Sequence, residues 1–106
     1  MPGEIEELQA WYEAQCDGDW EHDWGVRIGT LDNPGWSVDI NLEGTPLEGR
    51  EFPPIEDLAP DRTWVTCKVS GGTFQGRGGA PMLGVMLRAF LDWAREAPGE
   101  PPRPAV

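Results

Sequence analysis

Three features of the sequence predict an α+β domain in which two amphipathic helices cover one face of an antiparallel sheet. Apolar residues recur at three- and four-residue spacing near both ends of the 106-residue chain, as on one stripe of a helix. Between them lie stretches with strict two-residue alternation, the period of a half-buried strand. Turn-forming residues separate those stretches in pairs, giving the order helix, hairpin, connection, hairpin, helix. The sheet has four strands, or five if a short one forms around Glu51-Phe52.

Ile5, Leu8, Trp11 and Tyr12 define the first helix, from Glu4 to Gln15. Glu4, Glu6 and Glu7 fall in its first turn, where carboxylates meet the positive end of the helix dipole. In the next stretch, Trp24, Val26 and Ile28 alternate with Gly25, Arg27 and Gly29; Trp36, Val38, Ile40 and Leu42 then alternate with Ser37, Asp39 and Asn41. Asp32-Asn33-Pro34-Gly35 between them predicts a type II turn, with Pro34 fixing one φ and Gly35 supplying a positive one.

The segment from Glu43 to Arg62 carries Pro46, Pro53, Pro54 and Pro60 and has no sustained period. It reads as an irregular connection pinned by Leu47, Phe52, Ile55 and Leu58. In the second hairpin Val65, Cys67 and Val69 face the core, opposite Trp64, Thr66 and Lys68, and Gly71-Gly72 makes the tight turn into Thr73-Phe74-Gln75. Gly76, Gly78 and Gly79 form a link to a helix that Pro81 opens and that ends near Pro98. Its stripe is Leu83, Met86, Leu87, Phe90, Leu91 and Ala94. Residues 1–97 form one domain, and 98–106 a proline-rich flexible tail. The open sheet face is expected to carry Arg27, Ser37, Asp39, Asn41, Trp64, Thr66 and Lys68.

Charge narrows the partners. The chain has 19 acidic and 8 basic residues, a formal charge of -11. With Lys and Arg few and scattered, the sequence argues against nucleic-acid binding and for a basic partner. The acidity is polarised: residues 1–61 hold sixteen acids and two bases, residues 62–106 three acids and six bases, for net charges of -14 and +3. No secretory signal and no apolar run of bilayer-spanning length is visible, so a cytoplasmic protein without membrane partners is expected, with Cys16 and Cys67 reduced.

Cys16 to Trp24 is the densest polar segment. Asp17, Asp19, Glu21 and Asp23 have no base beside them, and Trp20 stands among them flanked by charge. Counted as a calcium loop from Asp17, the segment has His22 where glycine is required and Ile28 where a bidentate Glu is required, so that motif fails and no metal is assigned. Cys16 with His22 lacks the pattern of a thiol nucleophile, and the neighbouring carboxylates oppose a thiolate. The glycines between Gly71 and Gly79 precede a helix but match no phosphate-binding fingerprint. No catalytic residue and no cofactor is assigned. Trp11, Trp24, Trp36 and Trp93 belong to apolar stripes and are expected in the core. Trp20 and Trp64 are the tryptophans expected at an interface, where exposed indoles concentrate binding energy.

Cys-Asp-Gly-Asp-Trp-Glu-His at 16–22 and Thr-Leu-Asp-Asn-Pro-Gly-Trp-Ser-Val at 30–38 resemble the fifty-third numbered family of immunity proteins from bacterial polymorphic toxin systems. Trp11-Tyr12, Trp64-Val65-Thr66-Cys67-Lys68-Val69, Gly78-Gly79 and Phe90-Leu91 with Trp93-Ala94 extend the resemblance over roughly residues 5 to 95. The resemblance implies a small non-enzymatic cytosolic protein that binds and neutralises a cognate toxin. The surplus of acid suits a nuclease toxin, whose basic site carboxylates can mimic substrate to occupy. Charge and position, not the resemblance, select the partner-binding candidates: Asp17, Asp19, Trp20, Glu21 and Asp23, with Trp64 from the polar sheet face. The alternative is a small enzyme or ligand-binding domain using the glycine-rich link or the Cys16 to Asp23 loop.

Overall fold

The computed structural model describes residues 3–96; the expected tail at 98–106 lies outside them. In chain order the elements are α1 (Glu4–Gln15), α2 (Trp20–Asp23), β1 (Val26–Leu31), β2 (Gly35–Asn41), β3 (Ile55–Asp57), β4 (Val65–Ser70), β5 (Thr73–Gly78), a 3-10 turn (Ala80–Met82) and α3 (Leu83–Glu96). The strands form one antiparallel sheet in the order β1-β2-β5-β4-β3. This is the predicted α+β architecture, with the fifth strand at Ile55–Asp57 and not around Glu51-Phe52.

Alternation decides which face is covered. Val38, Ile40, Phe74, Val65 and Cys67 point to the helical side and are buried, where Met86, Leu87, Phe90 and Leu91 of α3 close the core. Gly76 and Gly78 allow that approach: a Cβ on Gly76 would stand 3.0 Å from the Met86 sulfur, and one on Gly78 3.0 Å from Met82 Cβ. The glycines expected to form a flexible link therefore serve packing, and β5 continues through Gly78.

The two turns differ in outcome. Gly71 and Gly72 both have positive φ, 59° and 78°, as a two-residue hairpin with the right-handed strand twist requires. Gly35 does not, because Leu31 pairs with Gly35 around the three residues Asp32 to Pro34, and Gly35 is already strand. Glycine is needed there for a different reason: a Cβ would run into the carbonyl of Gly78 on β5.

Helix α1 packs chiefly on α3 and not squarely on the sheet. Trp11 stands edge-on to Phe90 at 5.0 Å. Arg88 of α3 pairs with Glu4 at 3.3 Å and Glu7 at 3.0 Å, so two of the first-turn acids join the helices as well as facing the dipole. Glu6 caps the helix by accepting from the Gly3 N–H at 3.0 Å. The apolar stripe of α1 spans an arc of about 120° at 3.6 residues per turn, wider than α3 covers. Leu8 is buried, whereas Ile5 and Tyr12 remain 52% and 38% exposed.

The long connection is pinned by Leu42 and Leu47, both 1% exposed, and by Phe52 set edge-on between Phe74 and Trp93. Thr45 is buried but satisfied, donating to the Leu42 carbonyl and accepting from the Leu47 N–H. Ile55 and Leu58, expected to help, are exposed: β3 is an edge strand, paired among the described residues with β4 alone.

Candidate partner-binding surface

The acidic segment folds on its own carboxylates. After α1, Cys16 turns extended and Gly18 takes a φ of 96°, a left-handed conformation natural to glycine. Asp17 Oδ1 then accepts from the N–H groups of Asp19 and Trp20, both at 2.9 Å. Glu21 reaches back to accept from the N–H groups of Asp17 and Gly18 at 3.0 and 2.9 Å. This reciprocal capping satisfies donors that the start of a helix leaves unpaired and produces the single turn α2. The N–H bonds from Trp20 and then Asp19 hold the Asp17 carboxyl below the usual carboxylate range.

Asp17 and Glu21 therefore have the local structural role that charge counting denied them. Asp19, His22 and Asp23 are exposed. Among the described residues none of Asp17, Asp19, Glu21 or Asp23 takes part in an ion pair; the pairs gather instead on Arg77, Arg88 and Arg95.

Trp20 corrects the expectation most sharply. It is 6% exposed, set edge-on to Trp11 at 6.1 Å and tilted against Tyr12 at 5.9 Å. Its flanking charges point outward while α2 turns the indole inward, and its N–H donates to the Glu43 carbonyl at 2.7 Å. A free chain thus offers no Trp20 surface to a partner. Trp24 shows the opposite error: expected in the core, it caps α2 outside β1 and is 41% exposed.

Trp64, half-buried just before β4, is not brought to the acidic turn. The register shows why: Val65 lies opposite Gly78, which lies opposite Trp36, so Trp64 sits at the end of the sheet where the β1–β2 turn lies. The acidic turn enters at the other end, where Val26 pairs with Ile40. The open sheet face is polar as expected, with Arg27, Asp39, Gln75 and Lys68 in one cross-strand row and Arg77 bonded to Asp39 at 3.1 Å.

A groove of about 590 Å³ opens beside the acidic turn, between α1 and β1. Ile5 and Tyr12 line one wall, Trp24 and Ile28 the other, with Glu21 and Asp23 at the margin. These four are among the large apolar residues left exposed. Sequence reading missed it because all four residues fit core stripes; the available signal was an α1 stripe too broad for one neighbouring helix.

Cys16 Sγ donates to the Tyr12 carbonyl at 3.3 Å, not to His22, and both cysteines are free thiols. Among the described residues no three His, Cys, Asp or Glu side chains converge as metal ligands, and no helix is long and apolar enough to cross a membrane.

An acidic, internally braced turn and an apolar groove thus lie side by side on a small α+β scaffold. The family model described as immunity protein 53 matches residues 5–95, and the chain belongs to that family. Its membership implies a toxin as partner. No curated protein and no solved structure matches the chain.

Proposed function

We propose that this protein neutralises a cognate toxin of a bacterial polymorphic toxin system in the cytoplasm, by stoichiometric binding and without catalysis. The toxin surface it meets is basic, as at the phosphate-binding site of a nuclease. The observation that carries this reading is the uncompensated acid of the turn: four carboxylates within seven residues, with no ion pair among the described residues. Like charges held together repel, and a basic partner relieves that repulsion.

The proposed surface comprises Asp19 and Asp23 as free charges, with Asp17 and Glu21 contributing charge while bracing the turn. Trp20 supports it from beneath, and Trp64 lies outside it. Exposed charges at an interface rim act mainly on encounter. Asp19→Asn combined with Asp23→Asn is therefore expected to slow association with the toxin on the order of tenfold at low salt, flatten its salt dependence and leave the melting temperature unchanged. Stopped-flow association across a salt series reads this directly, and equal rates for the variant and the parent protein at low salt would show the surface to be wrong.

A further inference from the structure

The two edges of the sheet are treated differently. On β3 the exposed edge has three residues, follows Pro53-Pro54 and carries Glu56 and Asp57, the short, proline-flanked, charged form that discourages strand pairing. The β1 edge has six residues with one charge, Arg27, and no proline. Among the described residues nothing pairs with its backbone on the outer side. Asn41 N–H donates to the Gly25 carbonyl, so in the antiparallel alternation Arg27, Gly29 and Leu31 bond to β2 while the N–H and C=O groups of Val26, Ile28 and Thr30 point outward.

The groove runs under this edge. Ile28 is 40% exposed on the covered face of the sheet, and Ile5, Tyr12 and Trp24 complete the apolar wall. A strand laid against β1 would project alternate side chains into the groove and the others away from it, the way an edge-adding peptide obtains affinity from its backbone and specificity from its pockets.

We propose that the β1 edge and the groove beneath it receive an extended segment of the toxin as a sixth antiparallel or parallel strand, with apolar side chains directed inward and Lys or Arg directed to Glu21 and Asp23. The proposal rests on the reading that the protein neutralises its toxin by binding. Charge complementarity selects this occupant: residues 1–24 hold eight acids and no Lys or Arg. A second copy of the chain would bring the same acid and a second charge of -11 to the groove.

The test is amide-resolved hydrogen exchange on the full chain, alone and with the toxin domain encoded by the neighbouring reading frame. In the complex the Val26, Ile28 and Thr30 amides should exchange about a hundredfold more slowly, while Arg27, Gly29 and Leu31 are protected in both states. Thr30→Pro removes an outward N–H that no strand of the sheet uses, and Ile28→Lys places a charge in the groove; each should weaken binding about tenfold or more with the fold retained. Ile55→Lys on β3 should change nothing. Failure of the domain to bind the parent protein would overturn the binding reading and this proposal with it. A tight complex in which the three outward amides exchange as in the free protein, or in which Ile28→Lys and Thr30→Pro bind normally, would overturn the groove alone. Protection of the same amides without toxin, at a dimeric mass, would make a second copy the occupant.

Discussion

The indole N–H of Trp20 donates to the carbonyl of Glu43 at 2.7 Å, tying the acidic turn after α1 to the connection that follows β2. The bond joins segments 23 positions apart in sequence, and the ring packs between Trp11 and Tyr12 while it is made. Trp20 is thus the anchor by which the charged turn is held at one end of the sheet.

Trp20→Ala is accordingly expected to cost about 3–5 kcal/mol of folding stability, the range for truncating a large buried aromatic. Trp20→Phe keeps much of the ring but strands the Glu43 carbonyl, and should cost about 1–3 kcal/mol. Urea unfolding of both variants checks the ordering. Equal stability of Trp20→Ala and the parent protein would place the indole at the surface after all.

The carboxylate at Asp17 gives the acid limb of the stability curve a definite sign. Its folded pKa is depressed by the N–H groups of Trp20 and Asp19, so it favours the folded state above the ordinary carboxylate range. That contribution fades as pH falls through the depressed value. Asp61, held by the Thr63 N–H and hydroxyl, and Glu7, held by Arg88, act in the same direction. Stability should therefore decline as pH falls through and below the ordinary carboxylate range. Asp17→Asn keeps an acceptor oxygen but not the charge, and should make that decline shallower in unfolding curves measured across the range.

Much of this fold was legible because β1, β2, β4, β5 and α3 repeat a period over six or more residues, which the three residues of β3 cannot do: Val38 and Ile40, Val65 and Cys67, and Met86 and Phe90 fall where alternation or helical spacing puts them. Gly71-Gly72 was legible for a local reason, since two adjacent positive φ angles favour glycine strongly. The errors share the opposite cause. Helix α2 spans four residues, too few to show a period, and Trp20 looked exposed because its chain neighbours are charged, whereas Trp11 and Glu43 decide its burial. Gly35 looked like a turn glycine because its need is set by Gly78, on another strand. At the candidate surface the charges could be read directly, but the bracing of Asp17 and Glu21 depended on which way two side chains fold back, and the groove on how far α1 stands from the sheet.

The two thiols should separate cleanly under alkylation. Cys67 is 1% exposed beneath α3, and burial pushes its thiol up to about 11, so near neutral pH it is both shielded and protonated. Cys16 is half-buried at the end of α1. Iodoacetamide without reductant is expected to add once to the native protein, at Cys16, and a second time only after unfolding. Peptide mapping by mass spectrometry distinguishes this from double labelling of the native state, which would mean that Cys67 is reached through local opening.

Two glycines of similar appearance in the sequence should respond oppositely to alanine. Gly79 lies between β5 and the 3-10 turn, its N–H donating to the Trp64 carbonyl at 3.0 Å. A Cβ there would overlap the carbonyl oxygen of Arg62, which is backbone and cannot rotate aside. Gly79→Ala must therefore push the segment before β4 away from the link between β5 and the 3-10 turn and should cost about 1–3 kcal/mol, as overpacking does. Gly84 sits in the first turn of α3 with nothing within 4 Å of its missing Cβ. Alanine at that position limits the freedom of the unfolded chain and suits a helix, so Gly84→Ala should gain up to about 1 kcal/mol. Paired thermal and urea melts measure both. A gain from Gly79→Ala would show that the Arg62 carbonyl does not lie against Gly79 in the folded protein.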